Sequence, residues 1–186
     1  MEVKVLHTVE YLTGFLDNID NNKLKANILR NYNDSKFMDD EVESIRNEDI
    51  RIDFYPEVKK LMNSIMDKFY EQYNLKLKPV PCEDINEVVW AVVHSKNEST
   101  NWHDHASHYN YSEGAKVSAV YYVDVPENSG DIVFRCDENQ FITKTYVEKA
   151  ETGKFILFDS TLPHCVTKNR SDGKRIIISM NFTYDD

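Results

Sequence analysis

Along the first third of the chain, apolar positions recur at the spacing of helix faces. Over residues 21–32, Leu24, Ile28 and Leu29 share one face, with Asn21 or Asn22 placed to cap the start. Over residues 56–73, Val58, Leu61, Met62, Ile65, Phe69 and Tyr73 repeat at intervals of three and four behind Pro56, which suits a first helical turn. The spacing predicts two amphipathic helices, each laying one apolar stripe on a sheet, and it assigns Met62 and Met66 to core packing. From residue 88 the texture changes to short β-branched and aromatic runs, at 88–93, 117–123, 131–134, 155–158 and 175–182. Turn-forming stretches at 126–130 and 171–173 separate them. Many short strands at this spacing predict a sandwich or barrel, mainly β, with the N-terminal helices packed outside.

Length and composition narrow this picture. At 186 residues the chain supports one domain with a sizeable core, and 41% hydrophobic with 29% charged residues is a globular balance. The expected organisation is a single domain over 1–186, with a helical cover and first strands over 1–80 and a β core over 85–184. There is neither an apolar run long enough to span a bilayer nor a signal-like N-terminus, so a cytoplasmic protein without membrane association is expected. Cys82, Cys136 and Cys165 are an odd set without CxxC spacing, which fits reduced thiols better than disulfides. A net charge of −10 disfavours an extended nucleic-acid surface, leaving only a small basic cluster at Lys168, Arg170, Lys174 and Arg175.

The histidines carry the chemistry. Of six, His7 and His94 stand alone and read as surface or satisfied core residues. The segment from Thr100 to His108 instead packs His103, His105 and His108 into six positions. In an extended segment residues two apart point to the same side, so His103 and His105 can converge on one ion while Asp104 points away. Imidazole pairs of this kind suit Fe, Zn, Cu or Ni. His164 is the candidate third ligand, because it follows a glycine turn (Gly153), an apolar strand and a short polar bend that deliver it to a strand end.

The ordered motifs resemble those of a known family. Thr100-Asn101-Trp102-His103-Asp104-His105, then Val117-Ser118-Ala119-Val120-Tyr121-Tyr122, then Gly130-Asp131-Ile132-Val133-Phe134, and later Leu162-Pro163-His164 and Arg175-Ile176-Ile177-Ile178-Ser179-Met180-Asn181-Phe182, look like the 2-oxoglutarate–Fe(II) oxygenase superfamily. The nearest likeness is to a bacterial and phage branch with an HxH motif, over about residues 85–184. The resemblance implies a double-stranded β-helix of jelly-roll, cupin-like shape. It also implies Fe(II) as cofactor, 2-oxoglutarate and molecular oxygen as co-reactants, and an unidentified primary substrate to be hydroxylated. His103 and His164 match the two histidine ligands, and His105 falls where the superfamily usually carries a carboxylate. Arg175 matches the residue that pairs with the far carboxylate of 2-oxoglutarate, with Ser179, Tyr122 or Tyr121, and Asn101 as further candidates for that pocket. Val120, Phe134, Phe155 and Leu157 read either as its apolar walls or as ordinary core. Residues 106–116 look like an insertion, with His108, Tyr109, Tyr111 and Glu113, that could form a lid. Glu113 and Asp104 stay open as replacement carboxylate ligands, and His108 as a group near the metal.

Two other readings remain at this stage. A cupin-like three-histidine metalloenzyme would not use 2-oxoglutarate, and in it Arg175 would be a structural charge paired with Asp159 or Asp172. A non-catalytic jelly-roll binding module is the other. Exposed strand edges make a homodimer reasonable.

Overall fold

A computed structural model of the protein describes residues 8–32, 52, 55–81, 88–106 and 114–185. Its elements run β1 (Tyr11–Phe15), α1 (Asn21–Asn31), α2 (Pro56–Tyr73), β2 (Leu77–Pro79), β3 (Val89–His94), β4 (Thr100–His103), β5 (Val117–Asp124), β6 (Ile132–Asn139), β7 (Ile142–Glu148), β8 (Lys154–Asp159), β9 (His164–Val166) and β10 (Arg175–Tyr184). Both helices form where the apolar spacing placed them. Asp20, rather than Asn21 or Asn22, caps α1, its Oδ1 accepting from the backbone N–H of Lys23 at 3.0 Å. Asn21 is used otherwise, its Oδ1 accepting from the Tyr121 hydroxyl at 2.8 Å and so tying α1 to β5. α2 starts on Pro56 and stops at Asn74, which takes the left-handed conformation (φ 53°) that asparagine tolerates.

The strands make two antiparallel sheets. The larger has the order β1-β8-β5-β10-β2, with β3 also on β10, so β3 and β2 occupy successive stretches of one edge of β10. The smaller has the order β4-β9-β6-β7. The sheets face each other without closing into a barrel.

Every central strand of the larger sheet is buried on both sides, and alternation sorts its residues into two cores. Ile176, Ile178, Met180 and Phe182 of β10 face the helices, together with Ala119 and Tyr121 of β5, Phe155 and Leu157 of β8, and Ala91 and Val93 of β3. The intervening residues, Ile177, Val120, Tyr122, Ile156, Phe158, Trp90 and Val92, face the smaller sheet and meet Ile132 and Phe134 there. Phe155 and Leu157 therefore do not wall the cavity between the sheets. Ile156 and Phe158, one position along in each case, are on the side that faces the smaller sheet, because a shift of one residue on a strand changes the face. Neither they nor Phe134 line the cavity itself, whose apolar walls are Trp90, Val92, Val120, Ile132, Val166 and Ile177. Met62 and Met66 pack against the helix-side core as expected. Cys136 and Cys165 are free thiols. Among the described residues no helix is long and apolar enough to cross a membrane.

Candidate metal and cosubstrate site

β4 and β9 pair antiparallel with His103 directly opposite His164, so the sheet itself joins two histidines far apart in the sequence. His105 lies just beyond the end of β4, held by its backbone N–H donating to the Ser160 carbonyl at 2.8 Å. The ring centroids of His103 and His164 are 4.2 Å apart, those of His103 and His105 5.2 Å, and those of His105 and His164 5.1 Å. One ring nitrogen from each lies within 4.8 Å of the others, the only such three-residue group among the described residues. Asp104 points elsewhere, accepting from the Ala106 N–H at 3.0 Å. His108 and Glu113, with the rest of residues 107–113, lie outside the described residues.

The hydrogen bonds fix which nitrogen each ring offers. His103 Nδ1 donates to the Asn101 carbonyl at 2.8 Å and His164 Nδ1 donates to the Leu162 carbonyl at 3.0 Å. His105 Nδ1 donates to Asn181 Oδ1 at 2.9 Å, beside the Ser118 hydroxyl, which itself bonds to Asn181 and Ser160. A protonated Nδ1 makes Nε2 the lone-pair nitrogen in all three rings. His103 and His105 Nε2 are 3.3 Å apart, near the ~3 Å between two cis nitrogens each about 2.1 Å from one ion. Converging lone pairs repel, and a cation between them turns the repulsion into coordination. Burial first, then the two neighbouring rings, push His164 down to about 3, so it is neutral and able to ligate at neutral pH.

The same cavity extends past Thr100, Val120, Tyr122, Ile132, Ile177 and Ser179 to Arg175, with about 490 Å³ of empty space including its mouth. Arg175 has no exposed surface. Its Nη1 donates to the Ser129 carbonyl at 2.8 Å and, at 3.5 Å, to that of Thr167, and its Nη2 donates to His94 Nδ1 at 2.9 Å. Nε–H has no partner among the described residues. No carboxylate pairs with it among the described residues: Asp172 pairs with Lys96 at 2.6 Å, and Asp159 accepts from Thr161. The structural ion pair expected of Arg175 in a cupin is therefore not formed. Burial lowers its pKa to about 10, still cationic at neutral pH. A buried guanidinium whose partners among the described residues are all neutral, with an orphaned donor, can take an anion.

Tyr122 and Ser179 line this cavity, whereas Tyr121 lies on the other face of β5. Burial raises the Tyr122 pKa, keeping its hydroxyl a donor. The Asn101 side chain is exposed and does not line the cavity; only its carbonyl takes part, orienting His103. Sequence reasoning passed over His94, which is wholly buried against Arg175, and the Ser118–Asn181–Ser160 group behind His105. The signal available was polarity at alternate positions, Ser118 in one apolar run and Ser179 and Asn181 in another.

Burial first, and then the Arg175 charge, hold His94 down at about 3. Its unfolded value of 6.5 is higher, so the unfolded chain binds the proton first. Its contribution to stability is therefore complete above pH 6.5 and is lost as pH falls from there toward 3. Urea unfolding of the metal-free protein is expected to show stability dropping between pH 6.5 and 5, approaching about 1.4 kcal/mol per pH unit for each such histidine. A flat profile over that interval would contradict a buried neutral His94.

A sequence profile described as "Putative 2OG-Fe(II) oxygenase" matches residues 88–181, from β3 into β10. No curated protein matches the sequence. Among solved structures the fold is similar to a prolyl-4-hydroxylase from Pseudomonas putida, with 13% identity over 96% of this chain and 88% of that one and a TM-score of 0.58. It is also similar to two proteins of nogalamycin biosynthesis. The α-ketoglutarate-dependent carbocyclase SnoK has 12% identity over 95% of this chain and 80% of that one, TM-score 0.65. The α-ketoglutarate-dependent epimerase SnoN has 13% identity over 94% and 78%, TM-score 0.64. At such identities these likenesses show the double-stranded β-helix fold, and the profile, spanning half of the chain, supplies the family. The chain belongs to the 2-oxoglutarate–Fe(II) oxygenases, non-haem enzymes that take Fe(II) as cofactor and 2-oxoglutarate and O2 as co-reactants.

Proposed function

We propose that His103, His105 and His164 hold Fe(II), that Arg175 takes the far carboxylate of 2-oxoglutarate with help from Tyr122 and Ser179, and that the reaction hydroxylates a substrate admitted at the cavity mouth. The observation that carries this reading is the shared cavity, with three converging imidazoles in one part and, in another, a buried guanidinium that meets no carboxylate among the described residues. 2-Oxoglutarate is a dianion with a chelating 2-oxo acid at one end and a plain carboxylate at the other, and the two clusters match those ends. Fe(II), when bound, supplies the redox chemistry by which 2-oxoglutarate, O2 and R–H become succinate, CO2 and R–OH, one oxygen atom going to succinate and one to the product.

The chain's own residues do the rest. Backbone carbonyls at Asn101 and Leu162 and the Asn181 amide hold three ring tautomers in the ligating form. Trp90, Val92, Val120 and Ile177 keep the cavity apolar, which strengthens the Arg175–carboxylate attraction by excluding water. A set of three neutral ligands leaves the full charge of Fe(II) in place, one unit more than two histidines and a carboxylate would. An anionic cosubstrate enters such a site with a larger electrostatic gain.

The test is an anaerobic titration with Fe(II) and then 2-oxoglutarate, following the weak visible charge-transfer band of the chelate. The band is expected only with both additions. Arg175→Ala is expected to raise the 2-oxoglutarate Kd about 100-fold, or roughly 3 kcal/mol, because it removes one partner of a buried charge pair. Tight Fe(II) binding with no band at any 2-oxoglutarate concentration would overturn the assignment of the cosubstrate pocket.

A further inference from the structure

We propose that His94 is a positioning residue for the cosubstrate, setting the Arg175 guanidinium so that its remaining N–H groups meet the far carboxylate of 2-oxoglutarate. The proposal rests on the reading of Arg175 given above.

β3 and β10 pair with His94 directly opposite Arg175, and both residues have no exposed surface. Arginine can only donate, so at 2.9 Å from Nη2 the His94 Nδ1 is an acceptor and its ring proton sits on Nε2. Nε2 then donates to Thr100 Oγ1 at 2.9 Å. This is the opposite tautomer to that of the three clustered histidines, whose Nδ1 atoms all donate. The geometry therefore gives His94 a different task from theirs.

The grip on Arg175 comes from two sides. The Ser129 and Thr167 carbonyls take the Nη1 hydrogens and His94 takes one hydrogen of Nη2. Of the five N–H hydrogens, Nε–H and the second of Nη2 are left, a pair suited to a forked contact with a carboxylate. The chemical nature of the grip matters. A carboxylate at position 94 would hold the guanidinium equally well but would cancel its charge and compete with the ligand. A neutral imidazole fixes the orientation and leaves the charge for the cosubstrate. Burial and the adjacent guanidinium keep it neutral throughout the physiological range. Through Thr100, which opens β4 and lines the cavity, the same ring ties the cosubstrate arm to the strand that ends in His103.

The experiment measures Kd for 2-oxoglutarate and for 2-oxobutyrate, which lacks the far carboxylate, on the full-length protein loaded anaerobically with Fe(II). His94→Phe keeps the aromatic volume and removes the acceptor. It is expected to weaken 2-oxoglutarate tenfold or more, as losing a hydrogen bond to a charged group does, and to leave 2-oxobutyrate within about twofold. His94→Asn, with Oδ1 near the place of Nδ1, should restore most of the affinity, and His94→Gln, whose amide reaches toward Thr100 instead, should not. Unchanged 2-oxoglutarate affinity in His94→Phe, or equal losses for both acids, would overturn the proposal. If the Phe variant does not fold, the Asn and Gln pair decides, and equal 2-oxoglutarate affinities for those two would overturn it. Arg175→Ala separates the layers: full 2-oxoglutarate affinity there removes the reading of Arg175 itself, whereas loss there with no effect at His94 removes only the positioning role.

Discussion

His164→Ala is expected to abolish retention of Fe(II) at micromolar concentrations and to reduce 2-oxoglutarate-dependent succinate formation to background. Four-ligand structural zinc sites, at roughly 10–16 kcal/mol, put one ligand at about 2.5–4 kcal/mol, and a similar share for one of three histidines is on the order of a hundred- to a thousandfold in affinity. His164 should lie at the upper end. It is 2% exposed, sits between His103 and Phe158, and belongs to a strand pair that sets it directly opposite His103. Asn181→Ala offers an internal scale. It removes the acceptor that orients His105 without removing a ligand, and a loss of about 10- to 100-fold in Fe(II) affinity is expected. Both are read by anaerobic Fe(II) titration and by the Fe(II)-induced rise in Tm, which should be present in the wild type, reduced in Asn181→Ala and absent in His164→Ala. A wild-type-sized rise in His164→Ala would remove this residue from the ligand set.

Parts of this arrangement were legible because the residues carrying them have one dominant physical preference. The stripe from Val58 to Tyr73 permits only a helix with one buried side, and α2 spans the expected residues. The runs now seen as β3, β5, β8 and β10 were found because they are apolar almost throughout. That same continuity hid which side of each strand faced the cavity, so Phe155 and Leu157, which lie in the helix-side core, could also be read as cavity walls. β1, expected only as an unplaced first strand before residue 80, and β4 and β7 were not located, for the converse reason. None of the three has a buried residue, and a strand such as β7, with six of its seven residues exposed, gives no hydrophobic period to read. At the site, His103 and His105 announced themselves by spacing, and Arg175 only through the family resemblance of the run it opens. His94 did not, since its meaning lies in the β3–β10 register, and register between strands some eighty residues apart is a property of the folded sheet.

Gly130→Ala joins the fold and the site in one substitution and should damage both. The turn at 126–130 was legible as a turn, but not what its glycine touches. Gly130 has φ +89°, a conformation that costs an L-residue about 1 kcal/mol or more. An added Cβ would lie 2.3 Å from the Thr167 carbonyl oxygen and 2.9 Å from both the Lys168 carbonyl and Arg175 Nη1. Two of those three are backbone atoms, so relief must come from moving the loop, and overpacking of this kind adds about 1–3 kcal/mol. A total near 3 kcal/mol corresponds to a Tm lowered by roughly 6–12 °C in a chain of this size. Loop movement also shifts the neighbouring Ser129 carbonyl, which holds Nη1, so Arg175 loses its set orientation. The 2-oxoglutarate Kd should therefore rise at temperatures well below the new Tm, while Fe(II) affinity at the three histidines stays near wild type. Asn128→Gly, at a positive φ of 60° in the same turn but without a Cβ to accommodate, should leave both quantities almost unchanged. Calorimetry and the charge-transfer titration on the two variants would separate this account from simple loop disruption. If Gly130→Ala loses stability but binds 2-oxoglutarate as the wild type does, the Ser129 carbonyl is not part of what holds the arginine in place.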